Sequence, residues 1–288
     1  MTTATPGGDE VTGPANDQST AGAQEQAPLD FDTSKPNIAR VYDFLLGGKD
    51  NFAADRVVGD QIKLVLPQVH LGVQAQRAVL RRAIRYLVIE AGIRQLIDIG
   101  SGLPTAGNVH EVAHAIDPQV RVVYTDNDPV VLAHARALLA NNPTTTVADG
   151  DLLQPEQLLK QPVLRHLIDL DRPVGLLLCG IMHYLNDQED PGGIIARLMA
   201  LLPSGSHVFL HHLVKAGTPG EEAAEAALRK GIGRGTFRTP DQVAAFLTGL
   251  DLVPPGVVRV PDWRPDPDDH PSDDPVLNLA VAALARKP

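Results

Sequence analysis

From residue 95 onward, short apolar runs alternate with amphipathic stretches. Runs at 95–99, 121–125, 145–148, 174–179, 206–211, 256–260 and 276–284 are rich in Val, Ile and Leu and predict seven strands. Between them, apolar positions recur with helical spacing and predict helices at 106–116, 128–140, 155–168, 191–201, 220–230 and 240–249. Such alternation predicts an α/β fold, a doubly wound and mostly parallel seven-stranded sheet with helices on both faces. A long polar connection, 262–275, joins the last two strands without a helix, which predicts an antiparallel last strand at one edge.

The pattern before residue 95 is different. Ile38, Val41, Tyr42, Phe44, Leu45 and Leu46 recur at helical spacing until Gly47-Gly48 breaks the helix. A longer helix is predicted over 73–91, with Val73, Val79, Leu80, Ile84, Leu87 and Val88 on its apolar side. Residues 30–92 are therefore expected to form an N-terminal helical cap over the ligand-binding end of the sheet, and residues 93–288 the core. Residues 1–29 hold almost no large apolar side chains and cannot offset the entropy of ordering, so they are expected to be a disordered tail.

Composition narrows the function classes. Hydrophobic residues make up 43% of the 288-residue chain, enough for a buried core, and the formal net charge is −10 at pH 7. That charge repels phosphate backbones, so no nucleic-acid partner is expected. Arg77, Arg81, Arg82 and Arg85 form a local basic cluster, read as the solvated face of a helix. Cys179 is the single cysteine, so no intrachain disulfide is possible. No run of about 18 apolar residues predicts a membrane span. The N-terminus lacks a basic-then-apolar signal pattern. Together these features predict a cytoplasmic protein. No metal site is expected. His110 and His114 have i,i+4 spacing but lack a His-Glu-x-x-His pattern, and the loop carrying Asp266, Asp268, Asp269, His270, Asp273 and Asp274 matches no calcium-loop spacing.

The chemistry concentrates where strand 95–99 runs into Gly100-Ser101-Gly102. Glycine lacks Cβ, so such a turn can bring bare main chain against a ligand. Asp98, just before the turn, can receive a ligand amino group. Asp126 ends the next strand, 24 residues after Gly102, about where a carboxylate that holds two ribose hydroxyls is expected. Asp151 follows the third strand, where an adenine would lie. Thr105 stands in place of the third glycine of a dinucleotide fingerprint, and no Gly-x-x-x-x-Gly-Lys-Ser/Thr loop exists. An adenosine-containing cofactor without a pyrophosphate fits better than NAD or ATP. The segment 42–56 is a second candidate, with Tyr42, Asp43, Lys49, Asp50, Asn51 and Arg56 beside the glycine hinge. It reads either as a lid over the cofactor or as a helix C-cap with a polar turn.

These motifs carry a resemblance. Ile38-Ala-Arg-Val-Tyr-Asp-Phe-Leu-Leu-Gly-Gly-Lys-Asp-Asn-Phe-Ala-Ala-Asp-Arg56, Ile97-Asp-Ile-Gly-Ser-Gly-Leu-Pro-Thr105, Asn108-Val-His-Glu-Val112 and Val122-Val-Tyr-Thr-Asp-Asn-Asp-Pro129, with echoes at Pro254–Val257 and Trp263–Pro265, resemble an actinobacterial family of class I, Rossmann-like methyltransferases that use S-adenosylmethionine and whose substrate is generally unassigned. The resemblance spans residues 30–288 and favours the lid reading of 42–56, with Lys49 and Asn51 among the cofactor-binding groups. It implies that Asp98, Gly100, Ser101 and Gly102 line the methionine and ribose portions and that Asp126 holds the ribose. By the same resemblance, Asn127, Asp151 and Leu152 meet the adenine, and Cys179, Gly180 and His183 lie where methyl group and acceptor meet. The stretch Leu-Leu-Leu-Cys-Gly-Ile-Met-His-Tyr-Leu lacks the Asn/Asp-Pro-Pro-Tyr motif of many amino-directed methyltransferases.

The leading expectation is methyl transfer from S-adenosylmethionine to a small-molecule acceptor. His183 is the expected base, because imidazole titrates near neutrality, and Tyr184 and Tyr42 are the next choices. His211 and His212 end the fifth strand and read either as groups facing the acceptor or, in preference, as packing or capping groups, and Cys179 reads as a small buried apolar residue. Two other classes stand beside this one. A cofactor-binding sensor without transfer activity would have its site sealed by 42–56, with no room beside the methyl group. A nicotinamide-dependent oxidoreductase would need the missing third glycine.

Overall fold

The computed structural model describes residues 32–104, 107–139, 142–217, 220–267 and 273–288. The tail expected at 1–29, together with Thr105, Asp268, Asp269 and His270, lies outside them. Three helices come first: α1 (Ile38–Leu45), α2 (Ala53–Val65) and α3 (Val69–Arg85), the last continued by one wider turn, Tyr86–Glu90. Asn37 caps α1, its side-chain oxygen accepting from the Ala39 N–H at 2.7 Å. The sequence pattern did not anticipate α2. Its inner face is Asp55, Val58, Gly59 and Ile62, and a buried carboxylate interrupts what would otherwise be a legible apolar stripe.

That carboxylate joins the first two helices. Asp55 is fully buried; its Oδ2 accepts from Arg40 Nε at 2.9 Å and the Phe52 N–H at 2.8 Å, and its Oδ1 accepts from the Asn37 N–H at 2.8 Å. Arg40 gives a second N–H to the Lys35 carbonyl at 2.7 Å. Further hydrogen bonds thus support both members of the ion pair, the condition under which two buried charges are tolerated. Of the arginines expected on a solvated face of α3, Arg81 is exposed and the other three disperse. Arg82 is buried and donates to the carbonyls of Trp263 and Val260, Arg85 pairs with Asp266, and Arg77 donates to the Gly107 carbonyl at 3.0 Å.

The remainder alternates as predicted: β1 (Gln95–Ile99), α4 (Val109–His114), β2 (Arg121–Asp126), α5 (Pro129–Leu139), β3 (Thr145–Asp149), α6 (Pro155–Leu158), α7 (Pro162–Leu167), β4 (Gly175–Cys179), α8 (Pro191–Ala200), β5 (His207–Leu213), α9 (Glu221–Ile232), α10 (Pro240–Ala245), β6 (Asp251–Leu252), β7 (Val258–Arg259) and β8 (Ala280–Arg286). Strand order is β3-β2-β1-β4-β5-β8-β6, with β7 also paired to β8. β1 to β5 run parallel, and β8 runs antiparallel to β5 from His207↔Arg286 to Leu213↔Ala280. The sheet is the predicted α/β architecture with eight strands rather than seven. The expected strand 256–260 reduces to Val258–Arg259, and β6 is an additional strand that lies between the expected helix 240–249 and that strand. The expected strand 276–284 starts late because Pro275–Leu279 form a 3-10 turn, begun by the Asp274 side chain accepting from the Val276 N–H at 2.9 Å. The expected helix 155–168 divides at Pro162, which has no N–H to continue the ladder.

Period-two alternation places the chemistry. Ile97, Ile99, Leu176, Leu178, Val208 and Leu210 pack on one face of the sheet, while Leu96, Tyr124, Leu177 and Phe209 pack on the other with Val79, Ile84 and Leu87 of α3. Two residues further along each strand, that second face ends in Asp98, Asp126, Cys179 and His211. Four strands therefore deliver four polar or polarisable side chains to the same end of the same face. Phe31–Pro288 form one compact unit, and among the described residues no helix is long and apolar enough to cross a membrane.

Replacing Asp55 by Ala strands the buried Arg40 charge and should cost about 3–5 kcal/mol of unfolding free energy, measured by urea titration. A cost below about 1 kcal/mol would show that the pair does not hold α1 to α2.

Candidate functional site

Strand order reverses between β1 and β4, since the connections leaving the two strands build the sheet in opposite directions. A cavity of about 550 Å³ lies at their carboxyl ends. Its polar wall is made by the loops after β1, β2, β3 and β4; its apolar wall comes from α1, α2, α3, α9 and the 275–279 turn.

The loop after β1 is held by main-chain bonds. Gly100 and Ser101 both donate to the Thr125 carbonyl, at 2.8 and 3.1 Å. Gly100 has φ +68° and Gly102 φ +67°, in the left-handed region that glycine tolerates. A Cβ on Gly100 would stand 2.8 Å from the Ile181 side chain, so the close approach of the two loops also requires glycine there. The Gly102 N–H donates to Asp126 Oδ2 at 3.0 Å, and the Asp128 N–H to Asp126 Oδ1 at 3.0 Å. Each oxygen of Asp126 is thereby fixed while keeping lone-pair capacity toward the cavity. The Gly150 N–H donates to the Asp126 carbonyl at 3.1 Å and brings the loop after β3 alongside.

The electrostatics of this wall are unusual. Burial pushes the Asp98 carboxyl up to about 7; the nearby Arg77 guanidinium opposes that rise and the Asp126 carboxylate adds to it. Asp126 is raised as well, chiefly by burial and against the hydrogen bonds from Asp128 and Gly102. Burial pushes the Cys179 thiol up to about 12, leaving it a neutral group that accepts from Gln76 Nε2 at 3.7 Å. Tyr42 and Tyr184 are pushed well above the ordinary phenol range by burial, so both stay protonated. His183 is held well below the ordinary imidazole range, first by burial and then by His212, His211 and Arg238.

Of the residues singled out from sequence, Asp98, Gly100, Ser101, Gly102, Asp126, Asn127, Asp151, Leu152, Cys179, Gly180, His183, Tyr184 and Tyr42 all line the cavity. Lys49 and Asn51 do not. Lys49 is exposed, and the Asn51 amide is used locally, donating to Asp43 Oδ2 at 2.8 Å and the Gly48 carbonyl at 3.0 Å. Buried Asp43 also accepts from the Asp50 N–H at 2.9 Å, so the turn after α1 folds onto its own helix, and α1 itself supplies the cavity wall. Sequence reading missed Gln76 and Ile181, which have no motif signal; His211, for which packing was preferred over facing the acceptor, lines the cavity. His110 and His114 are used structurally, the first against the Tyr124 hydroxyl at 2.8 Å and the second against the Val120 carbonyl at 2.9 Å. Among the described residues no group of three or more His, Cys, Asp or Glu could hold a metal ion.

The donor set can be tested against an adenosine cofactor. A carboxylate with spare lone pairs at the end of β2 and a main-chain cradle that admits no Cβ at Gly100 suit a ribose and its neighbouring chain. A pyrophosphate is poorly served. α4 begins only at Val109, and its first turn already carries Glu111, which accepts from the Asn108 N–H at 2.8 Å.

Known proteins agree with this geometry. Residues 24–288 match the family model described as S-adenosyl methyltransferase. Among solved structures, the chain is similar to a candidate methyltransferase from Thermobifida fusca YX, with 42% identity and a TM-score of 0.85 over 92% of this chain and 99% of that one. It is also similar to a DUF574 family protein from Streptomyces avermitilis MA-4680, with 38% identity and a TM-score of 0.85 over 89% of this chain and 99% of that one. No curated protein matches. The chain belongs to the S-adenosyl methyltransferase family and is an S-adenosylmethionine-dependent methyltransferase.

Proposed function

We propose that this methyltransferase acts on a small-molecule acceptor lying against the apolar wall of the cavity, with residues 32–92 as the cap that forms most of that wall. The observation that carries this reading is continuity: one cavity runs from the acidic strand ends to an apolar cluster that includes Val41, Ile62, Leu228 and Phe237. A sensor sealed by 42–56 is less well supported, because residues 47–51 fold away from the cavity and room remains beside the strand ends.

Asp126 would hold the ribose hydroxyls, Asp151 and Leu152 would adjoin the adenine, and Asp98 would face the amino group of the methionine portion. Bound there, S-adenosylmethionine supplies an electrophilic methyl group on a positively charged sulfur that leaves as a neutral thioether. The protein's own work is then placement and exclusion of water. His183, unprotonated because it is buried, would take up the acceptor's proton. The net charge enclosed by the cavity is then unchanged, since the sulfonium charge is lost as the imidazolium charge appears. Tyr42 and Tyr184 remain protonated and would serve as hydrogen-bond donors.

With tritiated methyl donor and a whole-cell extract, label should move into the organic-extractable fraction, and His183→Ala should lower that transfer by about 100-fold. Label that moves into protein or nucleic acid instead, or undiminished transfer by the variant, would contradict this reading.

Asp98 makes a separate pH prediction. In the unfolded chain its carboxyl titrates near 3.8, in the folded chain near 7. Between those values the folded protein holds a proton that the unfolded chain lacks, so stability falls as pH rises through this window and the penalty is complete above it. Asp98→Asn removes the penalty. It should raise the Tm of the ligand-free protein by on the order of 5 °C at pH 8 and by roughly a third of that at pH 5, where only the first part of the window has been crossed. Equal changes at both pH values would mean that Asp98 is ionised throughout.

A further inference from the structure

The polar wall of the cavity is acidic, and its means of holding an anion are few. Among the described residues, the carboxyl groups of Asp98, Asp126, Asp128 and Asp151 line the cavity, against two Arg or Lys side chains, Arg77 and Arg234. The main chain of the glycine turn is already committed. The N–H groups of Gly100 and Ser101 go to the Thr125 carbonyl, and that of Gly102 goes to Asp126. S-adenosylmethionine nevertheless ends in a zwitterion, an ammonium and a carboxylate on one carbon. A carboxylate placed among four carboxyl groups needs a cation beside it.

The position of Arg77 follows from the chain. Val73, Arg77, Leu80 and Ile84 recur with successive turns of α3 and share one stripe of the helix. Val73, Leu80 and Ile84 are buried, and the first two line the cavity with Arg77. A charged residue therefore interrupts the apolar stripe that packs on the sheet. From there its Nη2 crosses to the loop after β1 and donates to the Gly107 carbonyl at 3.0 Å. Arg77 also joins Asp98, Ser101 and Gly102 in lining a second, smaller void behind the turn, beside His110 and Tyr124. The guanidinium thus lies along the β1 loop, close enough to Asp98 for its charge to oppose the rise of that carboxyl.

The other cation is already paired. Arg234 Nη1 donates to both oxygens of Glu189, at 2.8 and 3.1 Å, and to the Tyr184 carbonyl at 3.4 Å. Gln76, Ser101 and Asn127 line the cavity with neutral polar groups, which can add hydrogen bonds to a carboxylate but cannot balance its charge. A guanidinium does both, because its planar fork of N–H groups matches the two oxygens of a carboxylate.

Resting on the cofactor placement proposed above, we propose that Arg77 binds the carboxylate of the methionine portion while Asp98 takes its ammonium. Two elements then read the zwitterionic end of the cofactor, α3 of the cap and β1 of the core. Selectivity follows: an adenosine thioether without the carboxylate loses the Arg77 contact and keeps the rest.

The test titrates the full chain by calorimetry with S-adenosylhomocysteine and with S-adenosylthiopropylamine, the same molecule without its carboxylate. The wild type should bind the first at least about tenfold more tightly. Arg77→Met should lose at least about tenfold in affinity for S-adenosylhomocysteine and no more than about twofold for S-adenosylthiopropylamine. Arg77→Lys, which keeps the charge without the fork, should show the same selective loss to a smaller extent. Thermal melts establish that the variants are folded, and the wild-type comparison stands without them. Equal affinity of the wild type for the two compounds would overturn the inference. So would an Arg77→Met variant that loses nothing, or that loses both compounds equally, as a purely structural role through Gly107 requires. The first titration separates the two levels. If S-adenosylhomocysteine does not bind the wild type, the cofactor placement falls and this inference with it; if it binds without regard to Arg77, only the role of Arg77 falls.

Discussion

The site depends on how the end of β1 is fastened to the end of β2. Thr125 offers one carbonyl to two successive N–H groups, those of Gly100 and Ser101, and Asp126 then accepts from Gly102 and Asp128 with its two oxygens. This main-chain lock forces the β1 loop into left-handed dihedrals and closes it against Ile181 of the neighbouring β4 loop. Everything polar in the cavity is positioned relative to it. Because the lock is made mostly of backbone, it is rigid before any ligand arrives, which is what placement catalysis requires.

The helical segment is joined to that lock rather than laid over it. Asn37 caps α1 with its oxygen and donates from its amide to Asp128, the residue that steadies Asp126. Arg40 and Asp55 fasten α2 to the same helix. The apolar wall of the cavity is therefore continuous with its polar wall, through one short chain of hydrogen bonds. Function is set against stability here. Asp98 is buried where ionisation is costly, a feature that a core without a function would not favour.

The parallel core was legible because its strands are buried on both faces and read as uninterrupted apolar runs. The acidic strand ends and the glycine turn were legible because few residue types suit those positions. What was not legible has a common cause: side chains whose partners are distant in sequence. Asp55 carries no signal of its own because its partner, Arg40, lies on another helix, and α2 escapes the apolar pattern with it. Arg82 looked solvated, yet it serves the carbonyls of Val260 and Trp263 some 180 residues away. Lys49 and Asn51 looked like lid residues because of the glycine hinge, but Asp43 gathers that turn onto α1. His211 could be placed at the cavity only once β5 was seen beside β4, with His211 opposite Cys179.

The central claim is that the β2 carboxylate and the β1 turn hold the cofactor. Calorimetric titration with S-adenosylmethionine, S-adenosylhomocysteine and NAD, repeated on Asp126→Ala, tests it most directly. The wild type should bind the first two and not the third, and the variant should lose at least about tenfold in affinity, since two hydrogen bonds to a charged acceptor are removed. Unchanged binding in the variant, or tight binding of NAD, would contradict it.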